Sequence, residues 1–156
     1  YFPNLKVANR GISGDTTRQL LYRFKEDVIT LKPTAIVLLI GTNDLGLGGT
    51  PEEAAENIGA ILNQIKSDLP KTPVIVCKVM PRQPQFAEKI KRLNALVDKL
   101  VEGNPQFIRC DTYNIYADEN GAAKKEEFPD MLHPNGAGYQ KWKAALEPIF
   151  AKIVKN

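Results

Sequence analysis

Apolar residues along this chain fall into two patterns that take turns. Val74-Ile75-Val76-Cys77-Lys78-Val79-Met80 and Ala35-Ile36-Val37-Leu38-Leu39-Ile40 are near-continuous apolar runs without polar alternation. That pattern predicts strands covered on both faces, as in a parallel sheet. Leu5-Lys6-Val7-Ala8 predicts a further short strand before them, and Gln106-Phe107-Ile108-Arg109-Cys110-Asp111 one after them. Between the runs, apolar residues recur three and four apart, the spacing of one helix face. Leu20, Leu21, Phe24 and Val28 predict a helix to about Ile29; Ala54, Ile58, Ile61, Leu62, Ile65 and Leu69 predict a second. Ile90, Leu93, Leu96, Val97, Leu100 and Val101 give a third, and Tyr139, Trp142, Leu146, Ile149, Phe150 and Ile153 a last.

The boundaries agree with this reading. Thr16 with Gln19 has capping-box spacing, and Thr50-Pro51-Glu52-Glu53 places a cap, a first-turn proline and a third-position glutamate together. Lys32-Pro33 and Gly103-Asn104-Pro105 end helices, and Pro148 is expected to kink or interrupt the last one. Gly46 to Gly49 reads as a flexible loop, Pro81 to Gln85 as a plain loop, and Asn114 to Glu127 as a polar, mobile-looking passage. Strand–helix alternation predicts an α/β fold, a three-layer α/β/α sandwich on a mostly parallel sheet, as one domain over residues 1–156.

Composition narrows the function. The 156 residues are 43% apolar, enough for one core, and carry a net charge of +3. The lysines are scattered along helices, so no nucleic-acid or anionic-membrane partner is expected. No stretch approaches the roughly 20 apolar residues of a membrane span. A chain opening at Tyr1 offers no view of a leader peptide, so the compartment stays undecided between cytoplasmic and secreted. Cys77 and Cys110 fall on two predicted strands, where a disulfide is conceivable, but without Cys-x-x-Cys spacing buried free thiols are expected. With one histidine and no ligand spacing, no metal or cofactor is called for.

Chemistry concentrates in three short blocks. Asp130-Met131-Leu132-His133-Pro134-Asn135 holds the only histidine, three residues after an aspartate able to fix its tautomer. Asn9 to Thr17 opens a helix with Gly14 at the turn, where a backbone N–H can approach a ligand near the positive end of the helix. Gly41-Thr42-Asn43-Asp44 follows an apolar strand and delivers Asn43 to its carboxyl end, the edge at which α/β sheets bind ligands. A backbone N–H and an Asn amide converging on one point suit an oxyanion hole.

Together and in this order, the three blocks resemble those of the SGNH (GDSL-type) serine ester hydrolases, near the platelet-activating-factor acetylhydrolase branch. The resemblance implies His133 and Asp130 as catalytic residues and Gly14 and Asn43 as the oxyanion hole. It also implies a flavodoxin-like sheet of order 2-1-3-4-5 and hydrolysis of a small-molecule acyl ester, acetyl-type above all. One block departs from the pattern: Gly-Asp-Ser, which carries the family's nucleophile on the first strand, is absent. Of the two serines, Ser67 belongs to a helix end, and Ser13, in the glycine block, would be the substitute nucleophile. Losing an interior strand would orphan several backbone groups at about 1–3 kcal/mol each, against a domain stability of about 5–15 kcal/mol. The chain is therefore expected to be the larger part of a longer protein, with the serine upstream of Tyr1 on ~25–35 residues of strand and helix. The 156 residues alone are expected to hydrolyse esters poorly. The alternative is a non-catalytic acyl- or carbohydrate-binding remnant; for either reading a homodimer is left open. A nucleotide binder is disfavoured because Gly11 to Thr17 matches neither phosphate-binding glycine motif.

Overall fold

Three short strands, β1 (Ile36–Leu38), β2 (Val74–Cys77) and β3 (Phe107–Cys110), pair in parallel in that order in the computed structural model, which describes residues 1–153. The register sets Ile36 beside Val74, Val74 beside Phe107, and Cys77 beside Cys110. Parallel neighbours need long crossovers, and helices supply them. α1 (Thr17–Asp27) precedes β1; α2 (Thr42–Gly46) and α3 (Pro51–Asp68) join β1 to β2. α4 (Ala87–Val101) joins β2 to β3, and α5 (Thr112–Tyr116) and α6 (Gly136–Ile153) follow.

Both expected capping boxes form, Thr16 with Gln19 at α1 and Thr50 with Glu53 at α3, each satisfying helix donors that would otherwise be orphaned. One face of the sheet (Ile36, Leu38, Val74, Val76, Phe107) packs with Phe24 of α1, Ile58, Ile61, Leu62 and Ile65 of α3, and Ile90 and Leu93 of α4. The other face (Ile75, Cys77, Cys110) is covered by Leu146, Trp142, Ile149 and Phe150 of α6. Helices on both faces make the three-layer α/β/α sandwich.

Several expectations are corrected. Leu5 to Ala8 forms no strand: the segment has no ladder partner among the described residues, and a strand without one has nothing to hold it extended. β1 is covered on one face only. Val37 is 40% exposed, because α6 spans β2 and β3 and leaves β1 at the rim, its outer edge unpaired among the described residues. The passage from Asn114 to Glu127 looks polar and open in sequence but is packed: Tyr116 is fully buried, edge to face at 5.0 Å with the buried Phe128 just beyond it, and Ala117 bridges Ala123. Of the two outcomes expected at Pro148, a kink or an interruption, the second does not occur: α6 runs through it, and the apolar stripe of Leu146, Ile149, Phe150 and Ile153 packs on the sheet on both sides. The glycine-rich loop is likewise tied: Gly49 N–H donates to Asp44 O (2.9 Å), and the Arg82 guanidinium packs on Gly46. Cys77 and Cys110 are buried free thiols, as expected.

The core location sets a stability test. Ile61→Ala, at a fully buried position, is expected to lower the unfolding free energy by about 2–5 kcal/mol. Val37→Ala, on the open face of β1, is expected to cost less than about 1 kcal/mol. Urea unfolding followed by circular dichroism measures both.

Candidate functional site

The Asp130–His133 turn builds itself from local hydrogen bonds. Asp130 Oδ1 accepts the backbone N–H groups of His133 (2.7 Å) and Leu132 (3.0 Å), an Asx turn that forces Met131 to a left-handed φ of 61°. The other carboxylate oxygen, Oδ2, lies 2.7 Å from His133 Nδ1. With the carboxylate ionised, Nδ1 must carry the proton and donate, which leaves Nε2 as a bare acceptor. The His133 N–H, then the imidazole, then the Leu132 N–H hold the Asp130 carboxyl down to about 2, below its ordinary 3.8. The pair is open to solvent: the side chains are 72% exposed for His133 and 56% for Asp130.

The turn is anchored from behind. Phe128 is fully buried, and Met131 N–H donates to its carbonyl (2.9 Å). Asn135 binds twice to the preceding strap, its N–H to Glu127 O (2.7 Å) and its Nδ2 to Glu126 O (2.7 Å). Its Oδ1 accepts the Gly138 N–H (3.0 Å) and so opens α6. A Cβ on Gly138 would come within 2.8 Å of Pro134 Cβ and 3.2 Å of Glu127 O, so only glycine fits. The buried Tyr116 hydroxyl donates to Gly138 O (2.6 Å), and Lys141 pairs with the buried Glu127.

The glycine block and the asparagine block meet at the carboxyl end of β1. Gly14 adopts φ +84° in a turn closed by Asp15 N–H to Ile12 O (3.2 Å), and among the described residues its own N–H meets no acceptor. Asn43 Nδ2 donates to Asp15 O (2.9 Å), spending one of its two hydrogens and leaving the other. Asp15 is itself held by the Arg23 guanidinium (2.6 Å). Thus the structure joins Gly14 to Asn43 through Asp15, and His133 to Asp130. No hydrogen bond links the two pairs to each other among the described residues. Arg82 connects their surroundings. Its Nη1 donates to Thr42 O (3.0 Å), its own carbonyl accepts the Ala123 N–H (3.0 Å), and its guanidinium stacks 4.2 Å from the Phe86 ring centroid. Burial lowers the Arg82 pKa.

Ser13 is exposed and Ser67 lies near the end of α3, which leads to the amino end of β2, away from Asn43. Neither serine hydrogen-bonds His133 among the described residues. Thr17 N–H and hydroxyl also donate to the Asp44 carboxylate, joining the glycine and asparagine blocks a second time, and these contacts of Asn135, Thr17, Asp44 and Arg82 were not foreseen from the sequence. Thr17, Asp44 and Asn135 close the three blocks as polar last residues, which was the available signal; Arg82 lies outside every block and carried none.

Residues 1–141 match the model of the GDSL-like lipase/acylhydrolase family. The chain belongs to that family. It is 32% identical over 162 residues to the platelet-activating factor acetylhydrolase IB subunit alpha2 of Homo sapiens, covering 99% of this chain and 69% of that protein. The Bos taurus alpha1 subunit is 28% identical over 159 residues, with 98% and 67% covered. A GDSL-like lipase from Bacteroides thetaiotaomicron superposes with a TM-score of 0.80 at 31% identity, over 92% of this chain and 74% of that one. A carbohydrate esterase family 3 protein from Talaromyces cellulolyticus, at 20% identity and a TM-score of 0.80 over 98% and 77%, shares the fold. The chain thus has the α/β fold of the GDSL-type hydrolases, with a parallel sheet.

Asp130 sets a pH test for this GDSL-like domain. A folded-state pKa below 3.8 means the folded turn favours the ionised form, so its contribution is whole above the ordinary value and is lost as pH falls through about 2. A carboxyl 13C titration of Asp130 is expected to have its midpoint near 2. Asp130→Asn is expected to abolish that acid-linked loss in thermal melts.

Proposed function

We propose that this GDSL-family chain serves the hydrolysis of short-acyl esters, acetyl esters above all, by a serine–histidine–aspartate mechanism. The observation that carries the reading is the 2.7 Å contact between His133 Nδ1 and Asp130 Oδ2, which leaves Nε2 free to take a proton. In the proposed reaction a serine oxygen attacks the ester carbonyl as His133 Nε2 removes its proton. The Gly14 N–H and the remaining Asn43 N–H stabilise the tetrahedral oxyanion. His133 returns the proton to the leaving alcohol, and water then releases the acyl group by the same steps. Asp130 keeps the imidazole in the right tautomer and steadies its charged form.

The proposed nucleophile is a serine outside the 156 residues rather than Ser13, which belongs to the turn that presents the Gly14 N–H. The acetyl preference rests on relatives named acetylhydrolases and on the absence of a long apolar lid among the described residues.

The test uses the protein at its natural length with p-nitrophenyl acetate. His133→Ala is expected to lower kcat/KM by at least about 10²-fold, and Asn43→Ala to lower kcat by about 10²–10³. Hydrolysis indifferent to His133→Ala would overturn the reading. A fluorophosphonate adduct, located by intact mass and peptide mapping, identifies the attacking serine; an adduct on Ser13 would return the nucleophile to this chain.

A further inference from the structure

We infer that Asp44 and Thr17 are positioning residues that hold the two oxyanion donors, Gly14 and Asn43, in register; the inference rests on the oxyanion role proposed above. Gly14 sits in an exposed turn with almost nothing packed on it, and its N–H meets no acceptor among the described residues. Its place is therefore set where the chain enters α1. There Thr17, fully buried, is gripped by a carboxylate from another element. Asp44 Oδ1 and Oδ2 accept the Thr17 N–H at 3.1 and 3.0 Å, and Oδ1 accepts the Thr17 hydroxyl at 2.5 Å. Asn57 Nδ2, reaching from α3, donates to Thr17 Oγ1 at 3.0 Å. That incoming bond fixes the hydroxyl as an acceptor from Asn57, so its single hydrogen points at Asp44.

The grip is not needed to start α1. Thr16 and Gln19 already close a complete capping box there, and Thr17 is the first helical residue after it. The Asp44 carboxylate adds favourable charge at this helix end, but its distinctive effect is to tie α1 to the turn of α2. The tie runs in both directions. Asp44 accepts from Thr17, and its neighbour Asn43 donates back to Asp15, the residue directly after Gly14. The two donors thus sit on one cross-stitched unit whose fixed points are Thr17 and Asp44. Oxyanion stabilisation depends on donors placed before the charge develops, so loosening the stitch should be felt in kcat.

The test compares Thr17→Val, which keeps size and the backbone N–H but loses the hydroxyl, with Thr17→Ser, which restores it, and with Asp44→Asn. In the natural-length protein, Thr17→Val and Asp44→Asn are expected to lower kcat about 10–100-fold, with KM changed less than about threefold. Thr17→Ser is expected to recover most of the wild-type rate. In 15N relaxation, the Asp15 amide order parameter is expected to fall from the rigid range near 0.85 to below about 0.6 in both defective variants, while α3 and α4 stay rigid. Asn57→Ala, which leaves Asp44 and Thr17 intact but frees the hydroxyl to turn, is the milder probe if either variant fails to fold, and a smaller loss in the same direction is expected. An Asp15 amide that stays rigid, or a kcat per folded molecule equal to wild type, would overturn the inference. Relaxation decides it even in a protein without esterase activity, which would defeat only the reading of the site.

Discussion

Parallel pairing of β1, β2 and β3 is the constraint from which the site follows. Three parallel strands put their carboxyl ends on one edge, and each crossover must return through a helix before the next strand begins. α3 and α4 bury their apolar stripes in doing so. The turns that leave the strands therefore all open on the same side. Asn43 arrives after β1, Arg82 after β2, and α5 with the passage toward His133 after β3. The Thr112 hydroxyl donates to Lys78 O across the ends of β2 and β3, and the bonds through Arg82 carry the connection across to the turn of Asn43.

Beyond the sheet, side chains replace regular secondary structure as the source of order. The His133 turn has no ladder and little burial of its own, yet the N–H groups of Met131, Leu132, His133 and Asn135 are all taken up, by Phe128 O, the Asp130 carboxylate and Glu127 O. Short polar side chains bonding to nearby backbone can set a loop as firmly as a helix sets its interior, because each bond removes an alternative the chain would otherwise sample. Phe128 and Tyr116 supply the apolar anchor beneath it.

The order of elements and the helix starts were legible in the sequence because they follow from periodicity and capping chemistry, which are local. So was the Asp130–His133 contact, since three residues of separation let one turn build it. The status of Leu5 to Ala8 was not legible, because its pattern suits a strand while strand formation depends on a partner elsewhere. The open face of β1 was hidden for the same reason: Val37 looks like its neighbours, and only the reach of α6 decides which of them is covered. The passage after Asn114 misled through composition. Its few large residues, Tyr116 and Phe128, are spaced without period, and buried polar backbone is satisfied there by Asp118 and by the bridge to Ala123. Thr17 and Asp44 meet across 27 positions, a contact that no pattern within either block contains.

The exposure of the His133–Asp130 pair has a consequence for how it responds to what covers it. Attraction between an imidazolium and a carboxylate scales inversely with the local dielectric, about fourfold stronger at an effective value of 20 than in bulk water near 80. Bathed in solvent, the pair is screened, and charge attraction adds less than the hydrogen bonds that hold the Asp130 carboxyl down. Any surface that settles over it and expels water strengthens this attraction while it also strips both groups of solvent, so what covers the turn decides how tightly its two side chains hold each other.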